Sequence, residues 1–139
     1  MLKLYKVETI RKGFTLIELL IVMSIIGALL AVAVPSGLNA VAQAKAVNVA
    51  SNFRTLHQVV MQMLMLEQNP PTSGDILQYL LEKGYISTKP AGFTITYSGS
   101  DRAYLITYQS QDVSPSKVLG LYGPIKLEGG YLVVRVVTQ

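Results

Sequence analysis

Residues 14–34 of this chain read FTLIELLIVMSIIGALLAVAV, and this stretch decides the fold. Glu18 is its only charged residue. A helix of this length extends about 31 Å at the usual rise per residue, which is enough to cross the hydrocarbon core of a bilayer. The run is longer than the apolar core of a secretory signal peptide, and it continues into Val34-Pro35-Ser36-Gly37 without a clean A-x-A cleavage site. It therefore predicts a retained single-pass transmembrane helix.

The charges on either side of this helix predict its orientation. In the first thirteen residues, four basic side chains oppose Glu8 alone, which gives a local net charge of +3. From Phe14 onward, eight basic residues face seven acidic ones, so the rest of the chain is close to neutral. Basic residues that precede a transmembrane helix favour a cytoplasmic N-terminus. We expect the remainder to be exported, and we expect no nucleic-acid partner because the folded part has no basic excess.

The overall composition excludes several classes of protein. The 139 residues are 50% hydrophobic and only 14% charged, and the mean hydropathy is +0.40, so extended disorder is excluded. The chain has no cysteine and one histidine, which excludes a disulfide scaffold, a thiol nucleophile and a histidine metal cluster. Asp101, Asp112 and Glu128 are too scattered in the sequence to indicate a calcium site. We expect no metal and no other cofactor.

The residues around Gly13 add a more specific signal. A short basic leader ends in KGFTLIE, residues 12–18, and the apolar run that follows has Pro35 at its far end. This string resembles the class III signal of type IV prepilins and pseudopilins, and the resemblance covers about residues 1–55. It implies that residues 1–13 are a leader, that prepilin peptidase cuts between Gly13 and Phe14, and that it methylates the new Phe14 amine. A side chain at position 13 would obstruct the peptidase, so Gly13 is the expected processing residue together with Phe14.

Glu18 needs an explanation because a carboxylate costs about 2.5–3.5 kcal/mol at the centre of a bilayer. One possibility is that it lies near the membrane surface and extends toward the headgroups. The other is that cleavage creates a Phe14 amine, which neutralises the Glu18 carboxylate of a neighbouring copy and fixes the register of the two helices. On this interpretation Phe14, Glu18 and Pro35 are the assembly residues.

The long helix is predicted to continue beyond Pro35, after a kink or a locally melted stretch at the proline. Over residues 35–69, apolar side chains alternate steps of four and three, as on one face of a helix. These are Ala42, Ala46, Val49, Phe53, Leu56, Val60 and Met63. Thr15 and Ser24, nearer the N-terminus, are expected to be satisfied by backbone carbonyls. The Met and Leu side chains of residues 61–66 are predicted to pack in the core, and His57 is predicted to be structural.

Residues 70–139 are predicted to form a globular region with a short helix at 74–83. Thr72 and Asp75 have the spacing of a capping box at its start. Strands are predicted at 93–97, 103–109, 118–122, 125–128 and 131–137, with a tight hairpin at Gly129-Gly130. Without a disulfide, the hairpin that ends in residues 132–137 is the expected support of the C-terminal region.

The predicted fold class is therefore α+β. A long N-terminal spine helix, with residues 14–34 in the membrane and residues 35–69 exported, packs on a small antiparallel C-terminal sheet, which is similar to the pilin fold. The resemblance implies a structural subunit of a type IV pilus or pilus-like filament. The implied partners are further copies of the chain, minor pilins, prepilin peptidase and an inner-membrane assembly platform. The chain would lie in the inner membrane before assembly and in an extracellular or periplasmic filament afterwards.

Three other functions remain to be weighed against this one. A pseudopilin of a type II secretion system fits the same signal. A membrane-anchored exported enzyme would need a catalytic constellation, and the sequence contains none. A membrane-anchored exported binding protein could use an aromatic surface, although strand tyrosines usually pack within a sheet. The residues concerned are Tyr97, Tyr104, Tyr108, Tyr122 and Tyr131.

Overall fold

The structure is a computed structural model that describes residues 13–139. The predicted leader therefore lies outside the described residues, apart from Gly13. The elements in chain order are α1 (Leu16–Leu66), α2 (Ile76–Glu82), β1 (Phe93–Ser98), β2 (Ala103–Tyr108), α3 (Pro115–Leu119), β3 (Ile125–Glu128) and β4 (Tyr131–Val137). The fold is α+β, as the sequence predicts, with a long N-terminal helix packed on a small antiparallel sheet.

The chain divides into two compact units, Met1–Leu38 and Asn39–Gln139, and α1 runs through both. In the first unit, every described residue is exposed. This part of α1 is strongly apolar: an 18-residue window reaches a mean hydropathy of 2.7, and none of that window is buried. By length and composition, the helix can cross a membrane.

Pro35 lies inside α1, and the helix continues on both sides of it. The prediction that the helix resumes after the proline is therefore confirmed. The predicted melted stretch is wrong, since α1 is helical throughout Leu16–Leu66. A proline removes one backbone hydrogen bond from a helix, and here the remaining bonds of the ladder are sufficient to keep the helix intact.

In the second unit, α1 supplies one side of the core. The predicted apolar face is confirmed, because all of its members except the half-buried Ala42 are buried, and Ala50 and Val59 join them. The ring of Phe53 contacts that of Phe93 on β1 edge-on, with centroids 4.9 Å apart. Removing a side chain of this size from water stabilises the fold by about 1.5–3 kcal/mol.

The four strands form one antiparallel sheet in the order β1-β2-β4-β3. The predicted hairpin at Gly129-Gly130 is confirmed, and both glycines have positive φ, as a tight two-residue turn requires. β4 lies between β2 and β3, so it is hydrogen-bonded along both edges. The Thr138 backbone N–H and hydroxyl both donate to the Arg102 carbonyl at 2.8 Å. These contacts hold the C-terminal region in a chain that has no cysteine.

Two local predictions are wrong. The predicted strand at 118–122 is instead the end of α3 and the segment after it, because Pro115 starts a short helix that ends at Leu119 and buries Val118. The predicted capping box at Thr72 is also wrong. Asp75 is itself the N-cap of α2, and its carboxylate accepts a hydrogen bond from the Gln78 N–H at 3.0 Å.

The predicted core cluster at residues 61–66 is only partly formed. Met63 is fully buried and Leu64 is half-buried, but Met61, Met65 and Leu66 are 39%, 77% and 66% exposed. Successive residues of a helix point in different directions, so the core can cover only some of six consecutive side chains. The prediction of core packing is therefore wrong for these three residues.

Candidate functional site

The beginning of α1 is fixed by two hydrogen bonds between Thr15 and Glu18. The Glu18 N–H donates to the Thr15 hydroxyl oxygen, and the Thr15 N–H donates to a Glu18 carboxylate oxygen, both at 3.3 Å. The Thr15 carbonyl accepts the first bond of the helix, from the Leu19 N–H at 3.2 Å. This reciprocal arrangement is a capping box. Its carboxylate also lies in the first turn, where the helix dipole favours a negative charge.

The prediction that a backbone carbonyl satisfies Thr15 is wrong, because its hydroxyl oxygen accepts the Glu18 N–H. The signal was available, because Thr15-x-x-Glu18 has the S/T-x-x-E spacing of a capping box directly before an apolar run. The corresponding prediction for Ser24 is confirmed. Its hydroxyl donates to the Leu20 carbonyl at 2.8 Å.

Gly13 and Phe14 lie just before the capping box, outside the helix. Phe14 is 91% exposed. A Cβ built on Gly13 would meet no atom within 4 Å, and its φ is not in the left-handed region. Neither space nor backbone conformation therefore requires a glycine at position 13 in this structure.

The structure brings together four of the residues singled out at this end of the chain. Gly13, Phe14, Thr15 and Glu18 lie within six consecutive positions at the start of α1, whereas Pro35 lies 17 positions beyond Glu18, about 26 Å along the same helix. Pro35 is thus outside any site that these four residues form. Glu18 is the only charged side chain between residues 13 and 38, so no other side chain of this segment can form an ion pair with it.

In the second unit, His57 is a packing residue. Its Nδ1 lies 2.7 Å from the Tyr122 hydroxyl, and burial lowers its pKa. The Arg54 guanidinium lies over the ring of the same Tyr122, 5.2 Å from the centroid. His57 therefore helps to fix the segment after α3 against α1, in agreement with the structural role predicted for it.

Glu67, immediately after α1, accepts hydrogen bonds from two tyrosines. The Tyr79 hydroxyl donates to one carboxylate oxygen, and the Tyr85 hydroxyl donates to the other at 3.1 Å. The bond to Glu67 raises the pKa of Tyr79 to about 12. Burial, followed by the bond to Glu67, also raises the pKa of Tyr85. Both phenols stay protonated at neutral pH, and they connect α2 and its following loop to the end of α1.

The three acidic residues considered for calcium do not meet at one point. Arg135 forms a bidentate pair with Glu128 and a further ion pair with Asp101, all at 2.9 Å. The guanidinium holds the pKa of Glu128 below its usual value. Asp112 lies elsewhere, where it accepts a bond from the Tyr108 hydroxyl at 2.7 Å. Within residues 13–139, no three His, Asp or Glu side chains are grouped so that they could hold a metal.

The tyrosines proposed as an aromatic surface are mostly covered by the rest of the unit. Tyr104 and Tyr108 are buried in the core, and Tyr97 and Tyr122 are half-buried. Only Tyr131 is exposed, at 42%. The packing role predicted for strand tyrosines is confirmed for Tyr104 and Tyr108, so these five residues offer no continuous binding surface.

The fold and the start of α1 together define a pilin-like protein. A short non-helical segment precedes a long helix, which is apolar in its first part and packs on a small antiparallel sheet in its second part. Comparison with protein families shows that residues 10–34 match the prokaryotic N-terminal methylation motif. The chain therefore carries a class III prepilin signal, the signal of type IV pilins and pseudopilins. Comparisons with curated proteins and with solved structures found no match.

Proposed function

We propose that this chain is a structural subunit of a type IV pilus or a pilus-like filament. The observation that supports this most directly is the combination of the methylation motif with an apolar helix that the chain itself leaves uncovered. A fully exposed apolar helix needs either lipid or other copies of itself to remove it from water. A prepilin signal accounts for both coverings of this helix, because the subunit lies in lipid before assembly and among other copies in the filament afterwards.

Processing is the first step of the proposal. Prepilin peptidase cuts between Gly13 and Phe14 and methylates the Phe14 amine. Two features support this assignment: the bond lies in a non-helical segment, and the fold itself makes no use of a glycine at position 13. An extended segment can enter a protease site, whereas a helical one must first unwind.

Assembly is the second step. In the single chain, the Glu18 carboxylate is held by the Thr15 N–H, a neutral donor. After cleavage, the Phe14 amine of a neighbouring copy supplies a positive charge, so the carboxylate can form an ion pair, which the neutral Thr15 N–H cannot provide. The carboxylate then exchanges its partner within its own chain for one on the next chain. Because an unpaired buried charge is costly, only the register that pairs the two groups is stable.

The proposed location follows from the same residues. The basic leader remains in the cytoplasm, the first part of α1 crosses the inner membrane once, and the Asn39–Gln139 unit is exported. After assembly the subunit lies in an extracellular or periplasmic filament. Its partners are other copies, with minor pilins, prepilin peptidase and an inner-membrane assembly platform acting at successive stages.

Mass analysis of the mature N-terminus tests the proposal. The full chain is expressed in its own cells, and the protein in the membrane and in sheared surface material is analysed. We expect a chain that begins at N-methylated Phe14 and is recovered in filaments. A chain that keeps Met1, or a trimmed chain that is never found in a filament, would contradict the proposal.

A pseudopilin of a type II secretion system is the second candidate, because the methylation motif is shared by both classes. Deletion of the gene separates the two functions. Loss of surface filaments with normal protein secretion supports the pilus, and loss of secretion supports the pseudopilin. We favour the pilus, since secretion pseudopilins often bind calcium through C-terminal acidic residues, and here Asp101 and Glu128 both pair with Arg135 instead.

A further inference from the structure

A hollow of about 300 Å³ lies against α1 beside the Tyr122 ring. Three of its lining residues carry an atom that can bind a metal ion: His57, Met61 and Met65. They stand four positions apart on α1, so they follow one another along one face of the helix, and the Cβ atoms of neighbours are about 5–6 Å apart. We call these three residues the His-Met row. The lining is completed by Gln58, Gln62 and Tyr122.

The two methionines of the row are accessible from solvent. Met61 is 39% exposed and Met65 is 77% exposed, whereas Met63 between them is fully buried. The core of the Asn39–Gln139 unit therefore uses Met63 and leaves the other two thioethers uncovered. A methionine side chain is unbranched and has three rotatable bonds, so both sulfur atoms can turn toward a bound ion.

The histidine of the row is held through one of its two ring nitrogens. Its Nδ1 lies 2.7 Å from the Tyr122 hydroxyl. When Nδ1 carries the proton and donates it to that hydroxyl, the lone pair of Nε2 is available to a metal, and histidine ligands are commonly fixed in this way. A metal ligand must also be a neutral imidazole, and burial, which lowers the pKa of His57, favours the neutral ring.

The donor atoms of the row select the kind of ion. Thioether sulfur and imidazole nitrogen suit soft cations such as Cu(I), whereas Mg²⁺ and Ca²⁺ prefer oxygen ligands. Among the described residues, none that lines the hollow has a carboxylate, so a hard divalent ion finds no charged oxygen there. Arg54, the charged side chain over the Tyr122 ring, lines a different hollow. The expectation of no metal rests on carboxylates, cysteines and histidines, and thioethers are a further class of ligand.

We infer that His57 Nε2 and the sulfur atoms of Met61 and Met65 bind one soft monovalent cation, with Cu(I) as the biological ion of this class. Met61 is the central ligand, because it lies about one helical turn from each of the other two. Tyr122 touches no metal and is a positioning residue for the imidazole. The whole row lies in the Asn39–Gln139 unit, so the inference does not depend on the proposed filament function.

An NMR titration with Ag(I) tests this site. Ag(I) has the charge and the ligand preference of Cu(I), and it is not oxidised in air. The full chain in detergent micelles, with labelled methionine methyl groups and a labelled imidazole, is titrated with silver nitrate in chloride-free buffer. We expect the methyl groups of Met61 and Met65 and the imidazole of His57 to shift together and to saturate at one equivalent. The methyl group of the buried Met63 should not move.

Matched leucine variants identify the ligands, because leucine replaces methionine at nearly the same volume but has no sulfur. The double substitution Met61→Leu and Met65→Leu should weaken Ag(I) binding at least about tenfold, since loss of a group outside the ligands already costs 10–100-fold. Met63→Leu is the control and should bind as the natural chain does. Met1 and Met23 are the same in every variant. Met65→Leu alone, at the most exposed of the three positions, supplies a second variant and should also weaken binding.

The substitution Tyr122→Phe tests the positioning role. It keeps the ring but removes the hydroxyl that holds His57 Nδ1. We expect weaker Ag(I) binding, and we expect the tautomer with a proton on Nε2 to appear in the ¹⁵N spectrum of the imidazole. Natural affinity with an unchanged tautomer would contradict this role of Tyr122.

Four other results would overturn the site itself. These are the absence of any shift, a shift of His57 without the two methyl groups, unchanged affinity in the double leucine variant, and equal methyl shifts with Zn²⁺. A shift of the imidazole alone would show only an adventitious ion. None of these results bears on cleavage after Gly13 or on recovery of the chain in filaments, so the proposed function stands or falls separately.

Discussion

Thr15 and Glu18 form two reciprocal hydrogen bonds, each 3.3 Å long, in which the side chain of each residue accepts from the backbone N–H of the other. The residue expected to direct assembly thus also determines where α1 begins. Glu18 has two separable properties: an oxygen that accepts the Thr15 N–H, and a negative charge. The first serves the single chain, and the second is available to a neighbouring copy.

Replacing Thr15 tests the capping role. Thr15→Ala removes the oxygen that accepts the Glu18 N–H, and loss of an N-cap costs about 1 kcal/mol. We expect the Glu18 amide of the full chain in detergent micelles to exchange with solvent about fivefold faster. Thr15→Ser keeps the hydroxyl and should exchange at the rate of the natural chain. Equal exchange in all three proteins would show that the capping box contributes nothing.

Replacing Glu18 separates its two properties. Glu18→Gln retains an oxygen for the Thr15 N–H but loses the charge, whereas Glu18→Ala loses both. If charge pairing with Phe14 drives assembly, both variants are cleaved after Gly13 and both fail to appear in sheared filaments. The measurement is the amount of mature protein in the filament fraction against that in the membrane. Normal assembly of Glu18→Gln would show that assembly requires the hydrogen bond to the Thr15 N–H and not the negative charge of Glu18.

Replacing Gly13 tests the cleavage site. Gly13→Val introduces a side chain where the structure has open space, so the folded chain should be unaffected. We expect the uncut precursor to accumulate in the membrane, which mass analysis of the N-terminus detects. Gly27→Ala is the matched control, since it also fills open space but lies within α1. Normal cleavage of the Gly13→Val variant would contradict the assignment of the cleavage site to the Gly13–Phe14 bond.

The chain's single histidine allows a clear pH experiment. Burial lowers the pKa of His57, so the folded protein favours the neutral ring. The stability that this contributes is complete above the unfolded pKa of about 6.5 and is lost as the pH falls through the lowered folded value. We expect an NMR titration of the imidazole in the full chain to give a midpoint below 6.5.

Two substitutions of Tyr122 identify the cause of that shift. Tyr122→Ala uncovers the ring of His57 and should move the midpoint back toward 6.5, the value of the free side chain. Tyr122→Phe keeps the ring covered and should leave the midpoint low. If both variants titrate as the natural chain does, Tyr122 is not the group that shields His57 from water.

The parts of the fold that were predictable from the sequence have strong local signals. The face of α1 that includes Phe53 and Leu56 was identifiable because spacing of three and four residues over a long segment is unambiguous. The β3–β4 hairpin was identifiable because a Gly-Gly pair between alternating strands specifies a tight turn. In the candidate site, the prepilin signal predicts Gly13 and Phe14, and the cost of its charge predicts Glu18; the roles of these three residues stay predictions.

The errors have equally local causes. Residues 118–122 are a short apolar run, and such runs do not distinguish a strand from a buried helical turn. Pro115 after Ser114 was the available sign of a helix start, but a five-residue helix depends on packing more than on propensity. Exposure of Met61 and Met65 depends on how far the sheet extends beneath the end of α1, which no local pattern specifies.

The position of β4 between β2 and β3 has a consequence for the export that we propose. The strand that comes latest in the sequence joins two others that have no pairing with each other, so neither ladder can form before residues 131–137 are available. A chain halted during translocation would expose two incomplete strand edges rather than a finished domain, and unpaired edges invite aggregation and degradation. For the exported subunit that we propose, the Asn39–Gln139 unit can therefore complete its sheet only after residues 131–137 have crossed the membrane.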